Sequence, residues 1–62
     1  MSDNLLTIEA VMAAIGLKRT KIYGMIAAGD FPQPVKIGAA SRWSEVEVNA
    51  WIAERKKQRV EA

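Results

Sequence analysis

From Thr7 onward the apolar residues Ile8, Val11, Met12 and Ile15 fall at i, i+3, i+4 and i+7, the face of a 3.6-residue helix. Thr7 stands before them as an N-cap whose hydroxyl takes up a free first-turn amide. Gly16, suited to the left-handed position just past a helix, ends it at about Ile15. Leu5 and Leu6 are expected to fold onto this helix from outside. A second helix is predicted from Lys18 or Arg19 to Ala28, with Ile22, Met25 and Ile26 inward and Gly29 as its terminator. With Lys18 as N-cap, Leu17 and Ile22 occupy the two positions of a hydrophobic staple, although lysine offers no acceptor to a free amide. Only Gly16 and Leu17 then separate the helices. A short Gly-containing turn of this kind marks a helix-turn-helix, and many plain helical hairpins share it.

The pattern changes at Phe31-Pro32-Gln33-Pro34, where two prolines one residue apart impose an extended chain. Val35-Lys36-Ile37 alternates apolar, basic, apolar, and Ser41-Arg42-Trp43 can pair back with it across Gly38-Ala39-Ala40. That hairpin leaves Lys36 and Arg42 available to solvent. Ser44 and Glu47 form the S-x-x-E capping box of a third helix with Val48, Trp51 and Ile52 inward. Arg55, Lys56, Lys57 and Arg59 sit near its end, where the helix dipole favours cations. The expected fold class is mainly α with a small β-hairpin: three helices, with a wing between the second and third. It forms one domain over 1–62, with its ordered core at about 5–58.

Composition narrows the chemistry. The 62 residues are 50% hydrophobic, enough for one compact centre of marginal stability. Cysteine and histidine are both absent, which removes thiolate chemistry, the usual general base and the commonest metal ligand. No enzyme activity, metal or cofactor is expected. Glu45 and Glu47 do not make a hydrolytic pair, because Glu47 is taken by the capping box. No apolar run approaches the roughly 20 residues of a membrane helix, and Met1 to Asn4 is polar and acidic, unlike a signal peptide. The expected location is the cytoplasm.

The formal net charge is only +2, but its distribution is informative. Between Lys18 and Arg42, five cations (Lys18, Arg19, Lys21, Lys36, Arg42) face one acid, Asp30; elsewhere four cations face six acids. A basic middle suits a polyanionic partner.

The run Leu6-Thr7-Ile8, Gly16-Leu17-Lys18-Arg19-Thr20-Lys21-Ile22-Tyr23, Phe31-Pro32-Gln33-Pro34-Val35-Lys36-Ile37-Gly38, Arg42-Trp43, Glu47-Val48 and Trp51-Ile52 resembles the AlpA-type phage regulators. These belong with excisionase-like and MerR-like winged helix-turn-helix domains. The likeness runs from about Leu5 to Arg55. It implies a transcriptional activator or repressor of a prophage or other mobile element, of a group that often acts on integrase expression or excision. Three positions depart from the family: Lys18 stands where a capping Ser is usual, Gly24 where a basic residue is common, and Ala39 at a wing-tip place often held by Arg. They imply weaker phosphate binding or a different target sequence.

With Ile22 and Ile26 inward, Thr20, Gly24 and Ala27 point outward, flanked by Lys21 and Tyr23. Small outer residues let a helix backbone sit deep in a major groove. Lys18, Arg19 and Lys21 at the N-terminal end can reach phosphates or base edges, and the terminus itself accepts a phosphate. An ordinary solvated face with scattered cations has the same charge pattern. Gly24 costs about 1 kcal/mol relative to Ala; close approach to DNA or a tolerant surface position both account for it. Tyr23 either bonds a phosphate or packs its ring on the hairpin. Lys36 and Arg42 serve as wing contacts to backbone or minor groove, or else protect a strand edge. Trp43, Trp51 and Phe31 are assigned to the core, and the terminal Arg55–Arg59 cations to DNA affinity or plain solvation.

The candidate DNA-binding set is therefore Lys18, Arg19, Thr20, Lys21, Tyr23, Gly24, Lys36 and Arg42. The leading function is a sequence-specific DNA-binding regulator. One alternative is an excisionase that bends attachment-site DNA; another is a protein-interaction adaptor that does not touch DNA. Double-stranded DNA is the principal partner, with a second copy on adjacent sites, RNA polymerase or an integrase as further ones. With no long helix after Arg59, the coiled-coil arm of MerR proteins is missing, and a monomer in solution is expected.

Overall fold

The computed structural model describes residues 3–59; Met1, Ser2 and residues 60–62, and with them the ends of the expected 1–62 unit, lie outside the described residues. Along the chain run β1 (Leu5–Leu6), α1 (Ile8–Ile15), α2 (Arg19–Ala28), β2 (Val35–Ile37), β3 (Ala40–Ser44) and α3 (Glu45–Lys57). Three helices and a wing between α2 and α3 reproduce the expected fold class.

The helix ends form for the local reasons the sequence carries. Thr7 Oγ1 accepts from Ala10 N at 3.1 Å, and Gly16 closes α1 with φ 68°, its N–H bonded to Met12 O. Such a left-handed residue costs glycine nothing, whereas a side chain there is strained. Gly29 closes α2 at φ 80°, with Asp30 N reaching back to Met25 O at 2.8 Å. Between the helices lie Gly16, Leu17 and Lys18, and α1 packs directly on α2.

Three parts of the strand expectation need correction. Leu5 and Leu6 do not simply lie on α1: they form β1, paired antiparallel with β3 in the register Leu5↔Ser44 and Leu6↔Trp43. The sheet order is β1-β3-β2. Two residues are too short to show an alternation, and only the tertiary fold brings them to β3. The hairpin turn is also tighter than expected: Ile37 pairs with Ala40, leaving Gly38-Ala39 as a two-residue loop. Gly38 has φ 60° and no non-glycine among the described residues has positive φ, the pattern of a type II′ turn, whose twist suits the flanking strands. Finally, all three β2 residues are exposed, Val35 and Ile37 by 44% and 52%, so the alternation there does not mark a buried face.

The core is Val11, Ile22, Phe31, Trp43 and Val48, one or more from each helix and from the wing. Leu6, Leu17, Met25, Ile26, Trp51 and Ile52 pack around it half-buried. Trp43, fully buried, is its largest member. Truncating a buried tryptophan costs about 3–5 kcal/mol, a large share of the marginal stability of so small a domain. Its indole Nε1 has no hydrogen-bond partner among the described residues. Phe31 meets Trp51 edge-on with ring centroids 4.9 Å apart. Trp51 is only half-buried, its face covered by Arg55 at 5.0 Å, so it closes the core and also borders solvent.

Candidate nucleic-acid interface

Burial of Ile22, with Met25 and Ile26 half-buried beside it, fixes which side of α2 faces outward. Thr20, Lys21, Tyr23, Gly24 and Ala27 are all exposed, as are Lys18 and Arg19 at the tip. Nothing covers that end of the helix: Arg19 retains 57% side-chain exposure even though its Nη2 lies 3.1 Å from Glu9 Oε2 on α1. Gly24 has open space where a Cβ would stand, so no contact within the domain requires glycine there.

Lys18 is the N-cap residue in extended backbone (φ −81°, ψ 159°), and no side chain caps the helix. No acid occupies its first turn. The free amides and the positive end of the helix dipole therefore lie beside Lys18, Arg19 and Lys21, with Glu9 in contact with Arg19. This concentrates positive potential at an exposed helix tip. A phosphate is the ligand such a tip accepts most readily.

The wing places its two cations differently from one another. Strand partners share a face, so the Lys36↔Ser41 and Val35↔Arg42 pairs put Lys36 and Arg42 on opposite faces of the ribbon. Lys36 is exposed and donates from Nζ to Ser41 Oγ at 2.8 Å. Arg42 is half-buried and donates from Nη1 to Ser41 O at 2.9 Å. The expectation that both are available to solvent holds for Lys36 and only partly for Arg42. Tyr23 packs edge-on against Trp43 of the hairpin, with ring centroids 6.1 Å apart and 42% of the residue exposed. This joins the outer face of α2 to the wing.

Two contributors escaped the sequence reading. Glu9 holds Arg19 across the helix-helix turn, and its only trace in the sequence is an acid in the first turn of α1. Asp3 anchors the start of α3. Its Oδ2 accepts from the Ser44 hydroxyl and its Oδ1 from Val46 N at 3.1 Å. Ser44 Oγ accepts from Glu47 N at 3.2 Å, the first half of the expected capping box; among the described residues the Glu47 carboxylate makes no return bond to the Ser44 amide, and the carboxylate at this terminus is Asp3, on the Ser44 hydroxyl and the Val46 amide. The Ser44 hydroxyl first, then the Val46 amide, holds the Asp3 carboxyl below its ordinary 3.8.

A helix-turn-helix with an exposed cationic tip and a hairpin wing has the organisation of a small regulatory domain. Comparison with known proteins gives the family. Residues 4–56 match the family described as prophage CP4-57 regulatory protein (AlpA), and the chain belongs to it. It is also similar to the uncharacterized protein ORF88 of Enterobacteria phage P4, 39% identical over 54 residues. That alignment covers 86% of this chain and 61% of the phage protein, so this chain spans under two thirds of the relative's length. No solved structure matches the chain closely enough to count. No helix among the described residues is long and apolar enough to cross a membrane.

Proposed function

We propose that this member of a prophage regulatory family is a sequence-specific DNA-binding regulator that sets the N-terminal half of α2 in the major groove. The observation carrying this reading is the uncapped, exposed start of α2 ringed by Lys18, Arg19 and Lys21. Family membership supports the regulatory role. Thr20, Gly24 and Ala27 form a low outer surface that lets the backbone approach base edges, while Arg19 and Lys21 reach bases or phosphates at the groove wall. Lys36, exposed on the ribbon face that it shares with Ser41, meets the phosphate backbone. Arg42, held by the Ser41 carbonyl, presents its guanidinium from the other face. Tyr23 braces α2 against the wing and turns its exposed edge to the same duplex.

Binding is tested by selecting duplexes from a randomised pool and then titrating the selected duplex at several salt concentrations. With about four or five phosphates neutralised, log K falls against log salt with a slope near −4. Arg19→Ala and Lys21→Ala each flatten the slope by about one. No enrichment of any sequence, or affinity indifferent to salt, refutes the reading.

A further inference from the structure

At the opposite end of α2 from the cationic tip, about 15 Å away by helix rise, the chain forms a groove of about 650 Å³. Phe31, Pro32 and Trp51 floor it, and the exposed carboxylates of Asp30, Glu47 and Glu54 rim it. The groove is built in advance. Asp30 N bonds Met25 O at 2.8 Å, Trp51 Nε1 donates to Asp30 O at 2.6 Å, and Gln33 Nε2 donates to Ile26 O at 3.1 Å. Among the described residues the only ion pair is Glu9–Arg19, so none of the three rim carboxylates is paired with another described residue.

The matching charge lies on the same molecule. Lys56, Lys57 and Arg59 at the end of α3 are exposed and equally outside that ion pair, while Arg55 is engaged with Trp51. They cannot serve the whole of their own groove: Glu47 lies ten residues, about 15 Å, up the same helix from Lys57. We propose that the basic end of α3 of one copy seats in the acidic, aromatic-floored groove of a second copy, linking copies head to tail. The choice of this end over Lys18, Lys21, Lys36 and Arg42 rests on the DNA-binding reading, which already occupies those cations. Two different patches meet, so the contact is heterologous and propagates instead of closing into a dimer. A contact this small is weak in free solution. Copies on neighbouring DNA sites raise each other's local concentration to about millimolar, where it becomes effective.

The test omits DNA, so that it fails independently of the DNA reading. Sedimentation equilibrium at low salt is run on the wild type, on a groove variant (Asp30→Lys with Glu54→Lys) and on a tail variant (Lys56→Glu, Lys57→Glu and Arg59→Glu). Circular dichroism confirms folding, and the milder pairs Asp30→Asn with Glu54→Gln and Lys56→Gln with Lys57→Gln replace any variant that does not fold. The wild type is expected to self-associate at high concentration and to lose this as salt rises. Each charge-reversed variant alone associates at least about tenfold more weakly, since two exposed pairs in the groove variant and three in the tail variant turn repulsive. Of the neutral pairs, the groove pair keeps an intact tail and the tail pair an intact groove, with no attraction left between the altered patches, so mixing these two yields a species that stops at two chains. A wild type monomeric up to about millimolar, variants that associate as the wild type does, or a mixture without dimer overturns the proposal. Association in a chain that selects no DNA sequence leaves the groove standing and removes the DNA reading.

Discussion

At the start of α3, Ser44 accepts the Glu47 amide, Asp3 accepts the Val46 amide and the Ser44 hydroxyl, and Asn4 O accepts the Glu45 amide at 2.8 Å. Glu45 and Glu47 add negative charge in the first turn. At the start of α2 there is no side-chain cap and no acid, and Lys18, Arg19 and Lys21 stand against the dipole. One terminus has its orphan amides satisfied; the other leaves them open beside cations. A cap contributes about 1 kcal/mol and a well-placed charge about 0.3–1 kcal/mol, so α2 forgoes stabilisation that α3 takes. The difference makes α3 the closed terminus and α2 the open one, which on the proposed DNA-binding reading an external phosphate completes.

Breaking the closed terminus has the largest effect. Ser44 is buried, and Ser44→Ala removes the cap and the hydroxyl's bond to Asp3, lowering unfolding free energy by about 1–2 kcal/mol in urea titration. The same clamp gives a pH signature. The folded Asp3 pKa is depressed, so its contribution is fully present above the unfolded value near 3.8 and is lost as pH falls through the lower folded value. Melting curves across that range should show the loss in the wild type, and Asp3→Asn should flatten it.

Closing the open terminus sharpens the comparison. Lys18→Ser supplies the missing acceptor and removes a cation from the positive end of the dipole, raising stability by about 1 kcal/mol. It also weakens DNA binding and reduces the salt slope by about one. A variant both more stable and equally tight on DNA breaks the link between the open cap and binding.

Gly24→Ala comes next. An Ala side chain meets nothing within the domain, so stability rises by about 0.5–1 kcal/mol. DNA affinity falls several-fold if the α2 backbone lies against base edges; unchanged affinity in the titration makes position 24 a bystander. Glu9→Gln has the smallest effect on folding, a few tenths of a kcal/mol, because both partners of its ion pair are largely exposed. Freed Arg19 then tightens binding to unrelated duplexes more than to the selected site. This is read as a reduced ratio of specific to non-specific affinity.

The helices were legible because their signals are local. Thr7, Gly16, Gly29 and the Ser44–Glu47 bond each act within about one turn, and the apolar period that places Ile22 inward is read from its own helix. The outward face of α2 follows from the same periodicity. The candidate site was legible as a set of cations, but not in its arrangement. Strand register alone decides that Lys36 and Arg42 face opposite ways, and the Glu9–Arg19 pair forms only when α1 packs on α2.

The amino-acid order by itself determined three helices, their ends, a wing after the Pro32-Gln33-Pro34 segment and a basic middle. Each of these is a matter of short-range backbone preference or of counting charges. Tertiary structure decided that Leu5-Leu6 becomes a strand on β3, that Asp3 completes the cap 41 residues away, and that Asp30, Glu47 and Glu54 share one groove. Those outcomes join residues far apart in the chain, where pairing depends on which surfaces the buried Trp43 and Ile22 draw together and not on any local pattern.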